Sequence, residues 1–311
     1  MSTSLSIKGL LNLVVVYLAW GSTYLFIRVA VREGSGFPPF AMVASRTFCA
    51  AVFLFLLAGV LGYRLHPNRG ELKVLVLSGV LMWFVANGMV TWAERHAHSG
   101  YAALILGTTP IWPVILESII RRQPPSPFLV LSLLVGFAGL AVLVAPVLKH
   151  GASADISSTI AILVAAIAWP SGSVLLQRRP PQLNPLVISA YQQFFGSLAL
   201  AAAFLVTGEP WPQPTTSAWI GWIYLLTVGS LISFTSYVIA VQTLPISVVM
   251  TYAYVNPVIA VVLGWLALDE LITLGTLVGM ALILASVAGV FRYRFRQDPR
   301  KNRGAESTSS Q

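Results

Sequence analysis

Charge is scarce in this chain. Only 9% of its 311 residues are Asp, Glu, Lys or Arg, against about 25% in an ordinary soluble domain, which excludes a water-soluble globular fold. Acidic residues are the rarest, 10 against 19 Lys and Arg, and there are four histidines and one cysteine. The single cysteine, Cys49, rules out an intramolecular disulfide and reads as a packing residue within an apolar stretch. The histidines, His66, His96, His98 and His150, fall between such stretches or at their ends. His96 and His98 are two apart and cannot share a helix face, so no metal site is expected. The chain has no H-E-x-x-H, no G-x-S-x-G elbow and no Walker A loop, and neither an enzyme nor a cofactor is indicated.

Apolar residues are abundant: 57% of the chain, with a mean hydropathy of +0.80. About 20 consecutive apolar residues cross the ~30 Å of bilayer hydrocarbon as a helix. Ten stretches qualify, near 10–31, 39–61, 72–92, 99–120, 128–148, 157–177, 186–207, 217–240, 245–267 and 273–292. An all-α integral membrane protein of ten transmembrane helices is expected. The first stretch is too long for a signal-peptide core and lacks a small-residue cleavage site, so it should be retained.

The net charge of +9 is distributed in a way that argues for membrane topology and against nucleic acid. If the N-terminus is inside, 14 Lys and Arg fall on the inner side, six of them at or after Arg292, and only Arg32, Arg95 and Lys149 fall outside. Positive residues stay on the cytoplasmic side, which places both termini there. The basic segment 296–311 reads as a disordered cytoplasmic tail near anionic lipid.

Self-comparison divides the chain into halves of five spans, 1–150 and 151–295. A shift of 147 residues lays Pro110 on Pro257, and a shift of 149 lays Trp20 on Trp169. An odd number of spans per half inserts the second half upside down, the inverted-repeat plan of many secondary transporters, whose substrate sits near the midplane. Pro110 and Pro113 in span four, Pro170 in span six and Pro257 in span nine mark expected kinks. Each frees a backbone carbonyl, which a membrane tolerates only where protein or a water-filled cavity satisfies it.

Three segments, "WGSTYLFIR" (20–28), "NGMVTWAE" (87–94) and "TYAYVNPVIAVVLG" (251–264), resemble the drug/metabolite transporter superfamily in its EamA-type ten-helix branch. The resemblance covers residues 10 to 293 and implies two inverted five-helix repeats in a bacterial cytoplasmic membrane. It also implies alternating-access export of small polar metabolites such as amino acids. The superfamily includes nucleotide-sugar transporters as well, so drug, amine, nucleoside or sugar cargo and a non-transporting membrane sensor stay open. One departure is visible. The acidic residue after the penultimate span of a half is Glu270 in the second half, but its first-half counterpart is Gln123.

Polar residues inside the spans are the candidate site. A lone arginine at mid-span costs at least ~2.5–3.5 kcal/mol, so Arg46 should face protein or water, as a structural hydrogen-bonder or as an anchor for an anionic group. Asn87, Thr91 and Glu94 form one helix stripe at i, i+4, i+7. Glu94 and Arg28 are the expected outer gate, with snorkelling as the plainer role for Arg28. Trp20, Trp112 and Trp169, with Tyr252 and Asn256 on one face of span nine, are expected to line the cavity. Ser22, Thr23 and Ser171 are its candidate hydrogen-bonding groups. Thr251 and Tyr254 share the competing face of span nine. Glu117 and Arg121 form an expected i, i+4 pair, so no carboxylate remains at the core of a span. The expected partners are a small-molecule substrate and the lipid bilayer, with protons and a monomeric or dimeric state left open.

Overall fold

The computed structural model describes residues 6–31, 34–93, 97, 99–149, 155–268 and 272–296, and these are helical apart from turns and short connections. Among them, nine helices are long and apolar enough to cross a membrane. A further helix, α1 (Ile7–Val31), has 25 residues and spans ~37 Å at 1.5 Å per residue. The rest follow in order: α2 (Pro39–Val60), α3 (Arg69–Ala93), α4 (Ser99–Leu106, resuming at Ile111–Arg121) and α5 (Pro127–Lys149). Then come α6 (Ile156–Arg178), α7 (Pro185–Thr207), α8 (Thr216–Thr243), α9 (Ile246–Val249, resuming at Tyr252–Leu268) and α10 (Leu274–Arg296). The basic tail beyond Arg296 lies outside the described residues.

Loop contacts fix which helix ends lie together. Thr243 and Leu244, at the end of α8, crowd Gly9 at the start of α1, where an added Cβ would meet Thr243 Oγ1 at 2.5 Å. On the far side, Gln213 and Thr215 donate backbone hydrogen bonds to the carbonyls of Gly36 and Ser35 at 2.8 and 3.0 Å. The bundle therefore has an N-terminal face and an opposite face, and successive helices alternate between them.

Packing relates helices five apart. α2 lies along α7 and α5 along α10; α1 packs against α8 and α9, while α6 packs against α3 and α4. The α5–α10 contact is a glycine seam. A Cβ on Gly139 would stand 2.9 Å from the Gly279 carbonyl, and the reverse distance is also 2.9 Å. Small residues drive close helix approach where lipid offers no hydrophobic force.

Both faces are tied across the bundle. Pro38 precedes α2 and offers no side-chain cap; the Glu209 carboxylate takes that place, accepting from the N–H of Phe40 at 3.1 Å and of Ala41 at 3.3 Å. On the N-terminal face Glu71, in a capping box with Asn68, also accepts from Arg64 Nη2 and from the Gln182 N–H, each at 2.7 Å. Also on this face, Glu117 lies 3.9 Å from Arg121 and 3.8 Å from Arg294.

Three features differ from the sequence reading. Helix continues through Pro170 and Pro257; the interruptions fall at 107–110 in α4, which ends on the expected Pro110, and at 250–251 in α9, where none was expected. α3 and α8 each contain a nine-residue π-helical segment, Val80–Gly88 and Leu225–Ser233. Cys49 is exposed on α2, because the buried face of that helix takes Arg46, Thr47, Ala50, Ala51 and Leu54.

Candidate substrate cavity

A cavity of about 410 Å³ opens between α1, α2, α3, α4, α5, α6, α8 and α9, within the ~300–1,000 Å³ usual for small-molecule sites. Its depth follows from helix rise. Arg46 lies seven residues into α2 from the opposite face, ~10 Å down, and Trp20 lies thirteen residues along α1 from the other face, ~20 Å up. The cavity therefore occupies the half of the bundle nearer the opposite face.

Arg46 is the one charged residue on its described wall. Only 4% of it is exposed. Nη2 donates to Asn87 Oδ1 at 3.3 Å, and the guanidinium sits 5.5 Å from the centroid of the Trp83 ring, a cation–π contact. It lies against Gly229 of α8, where an added Cβ would stand in ordinary contact, 3.4 Å from Nη1. Asn87 lies in the π-helical segment of α3 and Gly229 in that of α8. π-Bulges recur at functional sites because the extra residue re-aims the helix face.

An aromatic layer floors the cavity. The Trp20 ring packs 5.0 Å from Tyr237, 5.0 Å from Tyr252 and 5.5 Å from Trp169, and Trp83 adds contacts to Phe234 at 4.8 Å and to Trp169 at 6.1 Å. Hydrogen bonds lock the rings. Trp20 Nε1 donates to the Gly229 carbonyl at 3.3 Å, Trp169 Nε1 to Tyr237 Oη at 3.0 Å, and Tyr237 Oη also pairs with Ser173 Oγ at 2.6 Å. Below them Tyr17 Oη and Thr251 Oγ1 meet at 2.5 Å, joining α1 to the break in α9. On the N-terminal face a second, polar cavity of about 590 Å³ is lined by Glu117, Arg121, Gln123, Gln177 and Arg178. The aromatic layer thus stands between two cavities on opposite sides.

The structure brings Trp20, Thr23, Arg46, Asn87, Trp169, Tyr252 and Asn256 to the cavity, together with Pro257. The competing face of α9 turns into protein, where Tyr254 Oη donates to the Leu133 carbonyl at 2.9 Å. Four other expected residues are not among the lining residues, and their polar groups are engaged by protein. Ser22 bonds the Ala19 carbonyl and Tyr224 Oη, Thr91 the Asn87 carbonyl, Trp112 the Thr108 hydroxyl, and Ser171 the Ile167 carbonyl. Glu94 and the Arg28 side chain lie outside the described residues. Pro113 has no N–H for the Thr109 carbonyl, nor Pro257 for that of Ala253, and Thr109 and Ala253 both line the cavity. Trp83 and Gly229 belong to the wall without having been expected there. Trp83 lies four residues before Asn87, on the same stripe of α3.

The EamA-like transporter family model matches twice, over residues 7–145 and 156–292. The chain is 29% identical over 258 residues to "Uncharacterized inner membrane transporter YedA" of Escherichia coli (strain K12), covering 81% of this chain and 80% of that protein. It is 23% identical over 299 residues to "Uncharacterized transporter YoaV" of Bacillus subtilis (strain 168), covering 95% and 99%. It is also 25% identical over 280 residues to "Probable terminal-alkyne amino-acid exporter" of Streptantibioticus cattleyicolor, covering 90% and 92%. A crystal structure at 19% identity superposes with a TM-score of 0.76, covering 93% of this chain and 99% of the other, a likeness of fold.

Proposed function

The chain belongs to the EamA-like transporter family, and from that premise we propose that it is a secondary transporter exporting small polar metabolites, such as amino acids, by alternating access around the Arg46 cavity. A multi-pass protein of the bacterial inner membrane fits both its apolar helices and its relatives. The observation that carries the proposal is a buried arginine in the wall of a small-molecule-sized cavity, shut on one side by the aromatic layer. An arginine so placed is costly in a membrane, and its cost is offset where it holds an anionic solute group.

The two halves, 1–150 and 151–295, act in this reading as inverted repeats rocking about the cavity. Support comes from the two family matches, from packing that recurs five helices on, and from π-helical segments 145 residues apart. In this reading both termini lie in the cytoplasm, which the bias of Lys and Arg favours, and the cavity sits in the outer half of the membrane. The exporter named above for a terminal-alkyne amino acid directs the first assay to amino acids. Counterflow of a labelled amino-acid panel in proteoliposomes, with and without an imposed pH gradient, tests the proposal. Accumulation of one class supports it, and a further rise with the gradient adds proton coupling. No accumulation of any of the panel by folded, inserted protein rejects amino acids as cargo.

A further inference from the structure

Three arginines close α10. Arg292 and Arg296 stay exposed, and Arg294 turns inward, with 18% of its side chain exposed. A basic residue in a last helical turn complements the helix dipole from the surface and has no need to turn in. Arg294 reaches two other helices. Its Nε donates to Ser247 Oγ at 2.8 Å, on the first segment of α9. Its Nη2 lies 3.8 Å from Glu117 Oε2 on α4, whose other oxygen stands 3.9 Å from Arg121. One guanidinium thus joins α4, α9 and α10 at the N-terminal face.

The segment that Arg294 holds is short and set off at both ends. Ile246–Val249 follows Pro245 and an extended Leu244, and the break at 250–251 comes after it. It is fully buried, Ile246 at 1% exposure and Ser247, Val248 and Val249 at 0%, and it packs against α4, α6 and α10. Its upstream end is anchored to α6, where Gln177 Nε2 donates to the carbonyls of Val241 and Leu244 at 2.8 and 2.7 Å. Two hydroxyls four residues apart, ~6 Å along a helix, tether the segment itself. Ser247 is held by Arg294, and Thr251 by Tyr17 beneath the aromatic layer. The segment therefore lies between that layer and Glu117 in the wall of the polar cavity.

We infer that Ile246–Val249 is the plug of the N-terminal face and that Arg294 is its latch, so that the two cavities join only when Arg294 releases Ser247 and Glu117. The plug is apolar apart from Ser247, and its packing supplies the seal. The latch sets the threshold for opening. Glu117 and Arg294 each keep about a fifth of their side chain in water, 19% and 18%. Parting them strands neither charge in the interior, which would be the costly outcome, and the latch can close again. The inference rests on reading transport through the Arg46 cavity, but accessibility tests it without any flux.

The probe is N-ethylmaleimide labelling of Val248→Cys in the full chain, with Cys49 changed to serine. Ser247→Ala deletes one hydrogen bond from the closed state alone, so labelling should quicken about 2- to 13-fold. Glu117→Gln should quicken it less, by up to about fivefold, as a partly exposed ion pair allows. Arg294→Met should quicken it at least as much as Ser247→Ala. Adding Ser247→Ala to Arg294→Met should then change the rate by no more than about twofold, because the contact is already gone. A bundle that had merely loosened would multiply the two effects. It would also speed labelling of Ala103→Cys, in the wall of the other cavity, which the latch predicts will not rise. If Arg294→Met does not fold, Ser247→Ala with the Ala103→Cys control carries the test. An unchanged rate in Ser247→Ala overturns the inference, as do multiplied effects, faster labelling at Ala103→Cys, or no labelling of Val248→Cys in any variant. Failed counterflow beside the expected labelling pattern would overturn transport and leave the latch standing.

Discussion

Replacing Tyr17 by Phe removes one oxygen from the layer that closes the cavity on the N-terminal face. Tyr17 Oη pairs with Thr251 Oγ1 at 2.5 Å, across from α1 to the break in α9. Thr251 retains its bond to the Val248 carbonyl, also at 2.5 Å, so the change deletes one hydrogen bond without orphaning a hydroxyl. Such a bond contributes about 0.5–1.5 kcal/mol net. If α1 and α9 separate when the N-terminal face opens, the closed state alone loses that energy. The open population then rises roughly 2- to 13-fold, as the conversion of free energy to a population ratio requires. A cysteine at Val248, fully buried and three residues from Thr251, reports the opening. With the exposed Cys49 changed to serine, N-ethylmaleimide should label Val248→Cys faster by that factor when Tyr17→Phe is added. An unchanged or slower rate would refute the assignment of this contact to the barrier.

Three further outcomes concern stability. Gly79→Ala places a methyl 2.5 Å from the Gln192 backbone carbonyl, an overpacking worth about 1–3 kcal/mol. It should lower the thermal midpoint, while Gly275→Ala, with its nearest atom at 3.7 Å, should not. Glu209→Ala uncaps α2 at a cost of about 0.5–2 kcal/mol; the melting temperature should fall while ligand affinity in the cavity is unchanged. Glu71→Ala leaves the N–H groups of Asn68 and Gln182 without their acceptor, while Arg64 Nη2 keeps the Gln182 carbonyl. The loss should reach about 3 kcal/mol, visible as a sharp drop in folded yield by size-exclusion chromatography.

The membrane spans were legible because hydropathy acts over some 20 residues and needs no partner. The order and length of the helices follow from it. The π-helical segments were not legible, since "VLMWFVANG" and "LLTVGSLIS" are ordinary apolar runs whose extra residue per turn is set by neighbouring helices. Span nine shows the limit of proline as a marker. Helix continues through Pro257, but the chain breaks seven residues earlier, where Thr251 meets Tyr17. Arg46 and Asn87 stood out because lipid tolerates neither alone. Trp83 did not, because tryptophan is at home in any apolar span, although its place four residues before Asn87 was available as a signal. Ser22, Thr91 and Ser171 carry hydroxyls that the sequence cannot aim, and each found a carbonyl in its own helix.

Counterflow of the labelled amino-acid panel in proteoliposomes at matched incorporation, comparing the unmodified protein with Arg46→Gln, tests transport through this cavity most directly. The expected result is a transient accumulation of one class driven by its trapped unlabelled form, lost in Arg46→Gln although the variant inserts and elutes as a folded species. Accumulation of equal size in both would contradict the account, because the solute would then cross without the one buried charge on the cavity's described wall.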